Sequence, residues 1–459
     1  MRRVVVIDVV GLTSGLIGIH TPFLARWSAS ARKSSIAPVF PAVTCSAQST
    51  YLTGTHPAEH GIVGNGWYFR DECEVKFWRQ SNKLVLGKKI WETAKELNPA
   101  FTCLNMCWWY NMNTTVDYSV TPRPLYLADG RKLPDCYSQP SILRDKLQRM
   151  LGTFPLFDYW GPRTSIKSSR WIAEGSKILE ADYSPTLTLI YLPHLDYNLQ
   201  RFGTDETKIA TDLREIDAVC EDLITFYEKR NVEVIVLSEY GITSVNNPVH
   251  INRELRKHGY IAVREELGLE HLDPYVSKAF AVADHQVAHI YINDPSVLSP
   301  VRTLLEKMEG IEMILDAEGK KKYHINHARA GELIAVADKN SWFTYYYWME
   351  DNKAPDFARI VEIHRKPGYD PIELFTNPEM KFLMPQIALK LIKKKLGFRM
   401  LMDVIPLDAS LLKGSHGRIP ESTSDFPILI TKNKESLVSS VIEPTDVNRI
   451  IGQHLEVNP

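Results

Sequence analysis

Three carboxylates and one hydroxyl stand where apolar runs of the chain stop. Val4 to Ile7 (V-V-V-I) runs into Asp8, and Leu187 to Leu192 (L-T-L-I-Y-L) breaks at Pro193 and reaches Asp196. Val232 to Leu237 is followed at once by Ser238, Glu239, Tyr240 and Gly241. A fourth run near Ile36 to Phe40 leads through Pro41 to Thr44. Short continuous apolar runs of this kind read as strands covered on both faces, as in a parallel sheet. One acidic residue past a strand is most simply a solvated loop residue. Three gathered on one edge would repel one another, and a cation between them is the economical remedy. The chemistry on offer is that of a metal centre with an alcohol beside it.

Thr44 has its own local signature. T-C-S-A-Q-S-T-Y-L-T-G, residues 44 to 54, predicts a short helix closed by Gly54 with Thr44 at its amino end. Free N–H groups and the helix dipole favour an anion there. Threonine at a helix start is often only a cap. A cation held nearby by Asp8 would instead turn the hydroxyl into a nucleophile.

The elements that must position these residues alternate. Thr21-Pro22 opens a helix through Ala25 and Trp27. Residues 205 to 230 place Ile209, Leu213, Ile216, Leu223 and Phe226 on one helical face, directly before the strand that ends at Glu239. Strand, helix, strand with buried strands predicts an α/β fold with a doubly wound, mainly parallel sheet, whose ligands bind beyond the carboxyl ends of the strands.

Composition narrows the function classes. With 54 basic and 55 acidic residues the formal net charge is −1, which argues against a nucleic acid duplex as partner. No run approaches eighteen uninterrupted apolar residues, so no membrane span is expected. Asp8 interrupts the apolar run after Met1-Arg2-Arg3, and the start is read as a strand rather than a signal peptide. Six cysteines (45, 73, 103, 107, 136, 220) show no CxxC pair and read as reduced thiols of a cytoplasmic protein.

Residues 38 to 65, P-V-F-P-A-V-T-C-S-A-Q-S-T-Y-L-T-G-T-H-P-A-E-H-G-I-V-G-N, resemble the nucleophile segment of the nucleotide pyrophosphatase/phosphodiesterase branch of the alkaline phosphatase superfamily. Asp8, Y-L-P-H-L-D at 191 to 196, S-E-Y-G at 238 to 241 and G-S-H-G at 414 to 417 follow in that family's order. The resemblance implies a single alkaline-phosphatase-like catalytic domain over 1–459. Its core would span about 1–65, 185–300 and 405–459, with cap insertions at about 66–184 and 301–404.

The resemblance further implies phosphoryl transfer at two divalent metal ions. Thr44 would be the nucleophile, forming a phosphothreonine, and would bind one metal with Asp8, Glu239 and Tyr240. Asp196, Gln200 and His416 would hold the second, and the Cys45 backbone N–H would donate to the phosphoryl group. The chain departs from the family at Gln200, where histidine is usual, at Glu239-Tyr240, where Asp-His is usual, and at Ala47, where asparagine is usual. Oxygen-rich ligation suits manganese, magnesium or iron better than zinc, and the metal's identity stays open.

His194, His285 and His364 are candidate compensating ligands, and Gln48 or Asn111 could make the phosphate contact that Ala47 cannot. The aromatic stretches at 107–112, including Trp109, and at 342–348, followed by Lys366 and Tyr369, either line a pocket that stacks a ring and neutralises phosphate or form the core of a cap. The expected function is a metal-dependent hydrolase of small-molecule phosphate esters, phosphodiesterase or pyrophosphatase in type. Alternatives are a phosphomonoesterase or phosphotransferase on a sugar or cyclitol phosphate, and a catalytically lapsed protein that binds phosphate esters.

Overall fold

The apolar runs that end in carboxylates become neighbouring strands. The computed structural model describes residues 1–433 and 439–456; the rest of the expected core segment 405–459 lies outside the described residues. The main sheet takes β1 (Val4–Val9), β2 (Arg32–Ile36), β3 (Cys103–Met106), β4 (Tyr118–Pro122), β5 (Cys136–Gln139), β6 (Leu187–Leu192), β7 (Glu233–Leu237), β8 (Ile428–Thr431) and β9 (Val441–Ile442). Their order is β9-β2-β8-β7-β1-β6-β3-β4-β5. The central five, β7-β1-β6-β3-β4, are parallel, while β8 and β5 run against their neighbours.

Register explains why the acids converge. Asp8 is level with Tyr191 on β6 and with Leu237 on β7. Parallel strands in register finish at one edge, so residues just past β6 and β7 arrive beside Asp8. Every residue of β1 and β6 is buried. The helices α1 (Thr44–Thr53), α2 (His194–Phe202) and α3 (Glu206–Glu228) follow β2, β6 and α2 respectively in the chain. Asp205 caps α3 by accepting from Thr207 N–H, and Ile209, Leu213, Ile216 and Leu223 form its buried face.

A second lobe has its own antiparallel sheet of four strands, ordered 279–284, 287–292, 333–337 and 311–315. Its core holds Phe280, Tyr291, Trp342 and the run Tyr345 to Trp348. The run at 342–348 is therefore lobe core and not pocket lining.

Two expected boundaries change. Strands β3, β4 and β5 lie within 66–184 yet belong to the main sheet, so that segment is not a cap insertion. Residues 279–292 were placed in the core but build the second lobe. A short apolar strand has the same local pattern whichever sheet it joins, and only long-range pairing decides. The strand expected at Ile36 to Phe40 lies at Arg32–Ile36 instead, where R-K-S-S gives no apolar signal and pairing to β8 and β9 makes the strand. Among the described residues no helix is long and apolar enough to cross a membrane.

Candidate active site

Thr44 is the first residue of α1. The cap position belongs to Val43, extended at φ −134°, and the helix ends at Gly54 with φ 69°, a left-handed conformation glycine adopts freely. The Thr44 hydroxyl is thus not spent on capping. It lies 3.2 Å from the Tyr240 hydroxyl, and Tyr240 donates in turn to Asp196 Oδ1 at 3.2 Å. A phenol has one hydrogen, so Thr44 is the donor of the first bond.

Around this pair the structure brings together Asp8, Gln48, Asp196, Gln200, Glu239 and His416, all buried. Gln48 Nε2 donates to Glu239 Oε1 and, at 3.4 Å, to Asp8 Oδ2, while its Oε1 accepts from Trp109 N–H. Gln200 Nε2 donates to Asp196 Oδ2 at 2.7 Å, and Tyr369 donates to Gln200 Oε1 at 3.0 Å. Burial first, and the Glu239 charge second, push the Asp8 carboxyl well above the usual range. Burial likewise lifts Asp196 to about 7.

His416 follows the short strand Gly414–Ser415. Its Nδ1 lies 2.7 Å from Ala42 O, which can only accept, so Nδ1 carries the hydrogen. Burial, reinforced by His285, pushes its pKa well down and keeps the ring neutral. Nε2 is then a bare lone pair, 3.9 Å from Asp196 Oδ1. Four rings pack in series, each pair with centroids 3.7 Å apart: Tyr240 stacks on His416, His416 meets His285 at a 39° tilt, and His285 stacks on Tyr369.

Three ligand-type atoms in this buried cluster lack any hydrogen-bond partner: Asp8 Oδ1, Glu239 Oε2 and His416 Nε2. Buried polar atoms are almost always satisfied, and carboxylate oxygens and an imidazole lone pair are the kinds of atom that divalent cations take. In donor type the residues fit the metals expected of them; among the described residues, the set of three His, Cys, Asp or Glu ligand atoms lying within 4.8 Å of one another is that of His194, Asp212 and Glu215, where α2 meets α3.

Several expected roles change. Cys45 N–H donates to Asn65 Oδ1 at 3.0 Å and is not free for a phosphoryl oxygen. Gln48 is engaged at both ends of its amide. Asn111 Nδ2 donates to the carbonyls of Asn105 and Val120 and braces the backbone. Lys366 is buried between Asp370 and Glu373, 2.7 Å from each, so its charge is neutralised internally. The Trp109 indole donates to Arg79 O, and its ring packs edge-on to Trp78.

His364 lies 3.3 Å from Phe77 O, away from the carboxylates. His194 sits two residues before Asp196 on α2, a rotation of about 200°, and faces α3 instead. Its Nε2 is 3.3 Å from Asp212 and 3.4 Å from Glu215. His285 joins the ring stack, with Nδ1 2.9 Å from Asp284 Oδ1.

Sequence reasoning missed Asn65 and Asp284: Asp284 accepts from Asn65 N–H and Nδ2, which aims Asn65 at the start of α1. It also missed Trp78 and Trp160, both half-buried, each with its ring 5.9 Å from that of Tyr369. Nothing in their local sequence marks them; only the fold sets them beside a residue that holds Gln200.

Residues 4–370 match the family of type I phosphodiesterase / nucleotide pyrophosphatase. An uncharacterized pyrophosphatase/phosphodiesterase of Schizosaccharomyces pombe is 26% identical over 245 residues, 50% of this chain and 39% of that protein. Ectonucleotide pyrophosphatase/phosphodiesterase 2 of Saccharomyces cerevisiae is 24% identical over 227 residues, 46% of this chain and 39% of that protein. The aligned part thus spans about two fifths of these curated relatives.

The fold is shared with human ectonucleotide pyrophosphatase/phosphodiesterase 5 at TM-score 0.63 and 13% identity, covering 100% of this chain and 96% of that one. The murine counterpart, solved as an inactive variant in complex with AMP, gives TM-score 0.59 at 14% identity with the same coverage. The match over most of the chain, with the motifs in order on an alkaline-phosphatase-like sheet, places the chain in the type I phosphodiesterase/nucleotide pyrophosphatase family of the alkaline phosphatase superfamily.

Proposed function

We propose that the chain is a metal-dependent phosphoric ester hydrolase of phosphodiesterase or pyrophosphatase type, with Thr44 as nucleophile. The observation that carries this reading is an uncapped hydroxyl at a helix start, buried among carboxylates of which two oxygens lack partners. In the first step Thr44 Oγ1 bonds to phosphorus and the ester or anhydride oxygen leaves. In the second, water displaces Thr44 and releases the phosphate monoester.

The chain's own residues supply a path for the nucleophile's proton. Thr44 donates to Tyr240 and Tyr240 to Asp196, so the hydrogen-bond chain leads from the hydroxyl to a carboxylate. Asp8, Thr44, Glu239 and Tyr240 would hold one divalent ion, and Asp196, Gln200 and His416 the other. Such ions, when bound, activate the hydroxyl and offset charge on the phosphoryl oxygens. The oxygen-rich set favours manganese, magnesium or iron over zinc. Trp78 and Trp160, beside Tyr369, are half-buried aromatic surface near the site, which favours an aromatic-bearing, nucleotide-like ester. Six free cysteines fit a reducing compartment, and a cytoplasmic location is part of the proposal.

A second reading is a lapsed phosphate-ester binder, favoured by Gln48 bridging Asp8 and Glu239 and by the engaged Cys45 N–H. Metal content measured alongside turnover of nitrophenyl phosphodiester and monoester substrates separates the two. Metal-dependent, diester-preferring activity that vanishes in Thr44→Ala, with phosphate on Thr44 after acid quench, supports the hydrolase. Near-normal rates in Thr44→Ala would exclude the covalent route, and inactive protein that still binds phosphate esters supports the binder.

A further inference from the structure

The second lobe extends an excursion that the fold leaves uncovered. Its base is closed where Asn377 N–H donates to Val404 O and Ile405 N–H donates to Arg359 O. Between them runs α4 (Leu383–Lys395). Leu383 and Ile387 rest against the lobe's core. Met384, Leu389, Leu391, Ile392, Leu396 and Phe398 do not, and each is between 51% and 71% exposed. Met384, Ile392 and Leu396 fall on one row of the helix with Ala388, and Leu391 and Leu389 flank it. A row of large apolar side chains this exposed is rare on a protein surface without a partner.

Charge names the partner. From Lys381 to Arg399 the chain carries Lys381, Lys390, Lys393, Lys394, Lys395 and Arg399 with no acidic residue, inside a protein of net charge −1; of these, Lys390 is ion-paired with Asp403 at the end of the excursion. Lys390 and Lys393 leave the helix away from the apolar row, and Lys395 falls on the row in the last turn. Thirteen residues make a helix about 20 Å long, too short to cross a hydrocarbon core of about 30 Å. A short helix with an apolar row and a basic margin suits the plane of a membrane surface. Two copies of the chain would set like charges against like, which disfavours self-association through this face.

We propose that the excursion docks the protein on an anionic lipid bilayer, α4 lying in the interface with its apolar row among the acyl chains and its cations on the lipid phosphates. The inference does not depend on the hydrolase reading.

The test is co-sedimentation with phosphatidylcholine vesicles made with and without phosphatidylglycerol. Wild-type protein should bind the anionic vesicles at least tenfold more tightly than the neutral ones, and less as sodium chloride is raised. Ile392→Asp with Leu396→Asp should abolish binding. Lys393→Ser with Lys395→Ser should weaken it about fivefold per lysine, and serves if the aspartate pair misfolds. Both pairs are exposed, so their melting midpoints should match wild type. Wild type that stays monomeric and binds no vesicles overturns the proposal. So does retained binding by the aspartate pair, or a wild-type dimer that this pair makes monomeric without any vesicle binding, the result that would give the face to a second copy.

Discussion

Replacing Tyr240 by phenylalanine removes one oxygen from the centre of the site and little else. The ring lies 3.7 Å from that of His416 with planes 7° apart, a stack that phenylalanine keeps. The hydroxyl's two bonds, to Asp196 Oδ1 and Thr44 Oγ1, are lost. A buried acceptor stripped of its donor costs about 1–3 kcal/mol. Across 459 residues, at roughly 2.1 cal/mol/K per residue, the unfolding entropy is about 1 kcal/mol/K, so the metal-free protein should melt about 1–3 °C lower.

The same hydrogen bond holds the Asp196 carboxyl down against burial. Without it the group rises from about 7 in the metal-free protein, and at neutral pH more of it is protonated and unable to face a cation. The acid limb of the rate profile should move to higher pH. Manganese affinity should fall about 10–100-fold, as when an orienting partner is lost. In a ferric form the phenolate-to-metal absorption band should vanish, and Tyr240→His should restore binding with a shift toward zinc. Calorimetry of metal-free protein, metal titration and the pH–rate profile check these effects. An unchanged midpoint with metal affinity within about twofold of wild type would refute the reasoning and make Tyr240 a spacer.

Gly414→Ala should cost more than about 4 kcal/mol in urea denaturation, because a Cβ there would lie 2.0 Å from Leu199 O, backbone of the helix that carries Asp196 and Gln200. Lys366→Met should destabilise by about 3–5 kcal/mol by leaving Asp370 and Glu373 without their cation, and adding Asp370→Asn and Glu373→Gln should recover most of it; wild-type stability in the single variant would return Lys366 to the substrate-binding candidates. His60 is buried against Thr50 and its pKa is pushed down to about 3 from 6.5. The unfolded chain therefore takes up a proton that the folded one refuses, and the stability this neutral ring contributes is full above pH 6.5 and lost as pH falls toward 3. His60→Gln should lose stability less steeply than wild type in that window, by about 1.4 kcal/mol per pH unit in chemical denaturation.

The strands bearing the acids were legible because a strand buried on both faces is a continuous apolar run, and Asp8, Asp196 and Glu239 follow such runs directly. The start of α1 was legible through Gly54, whose left-handed φ of 69° suits a residue without Cβ. The family's motifs added His416, which no local pattern identifies as facing Asp196. Other features needed the tertiary structure. β2 is a strand only because β8 and β9 pair with its polar residues. Gln48 meets Glu239 across 191 positions, and Asn65 meets Asp284 across 219. Lys366 reads as a free cation until two acids four and seven positions on are seen to enclose it. Periodicity, caps and chain order are local properties that a sequence displays. Which buried polar atom satisfies which, and which is left for a cation, depends on strand register and lobe packing between residues far apart in the chain.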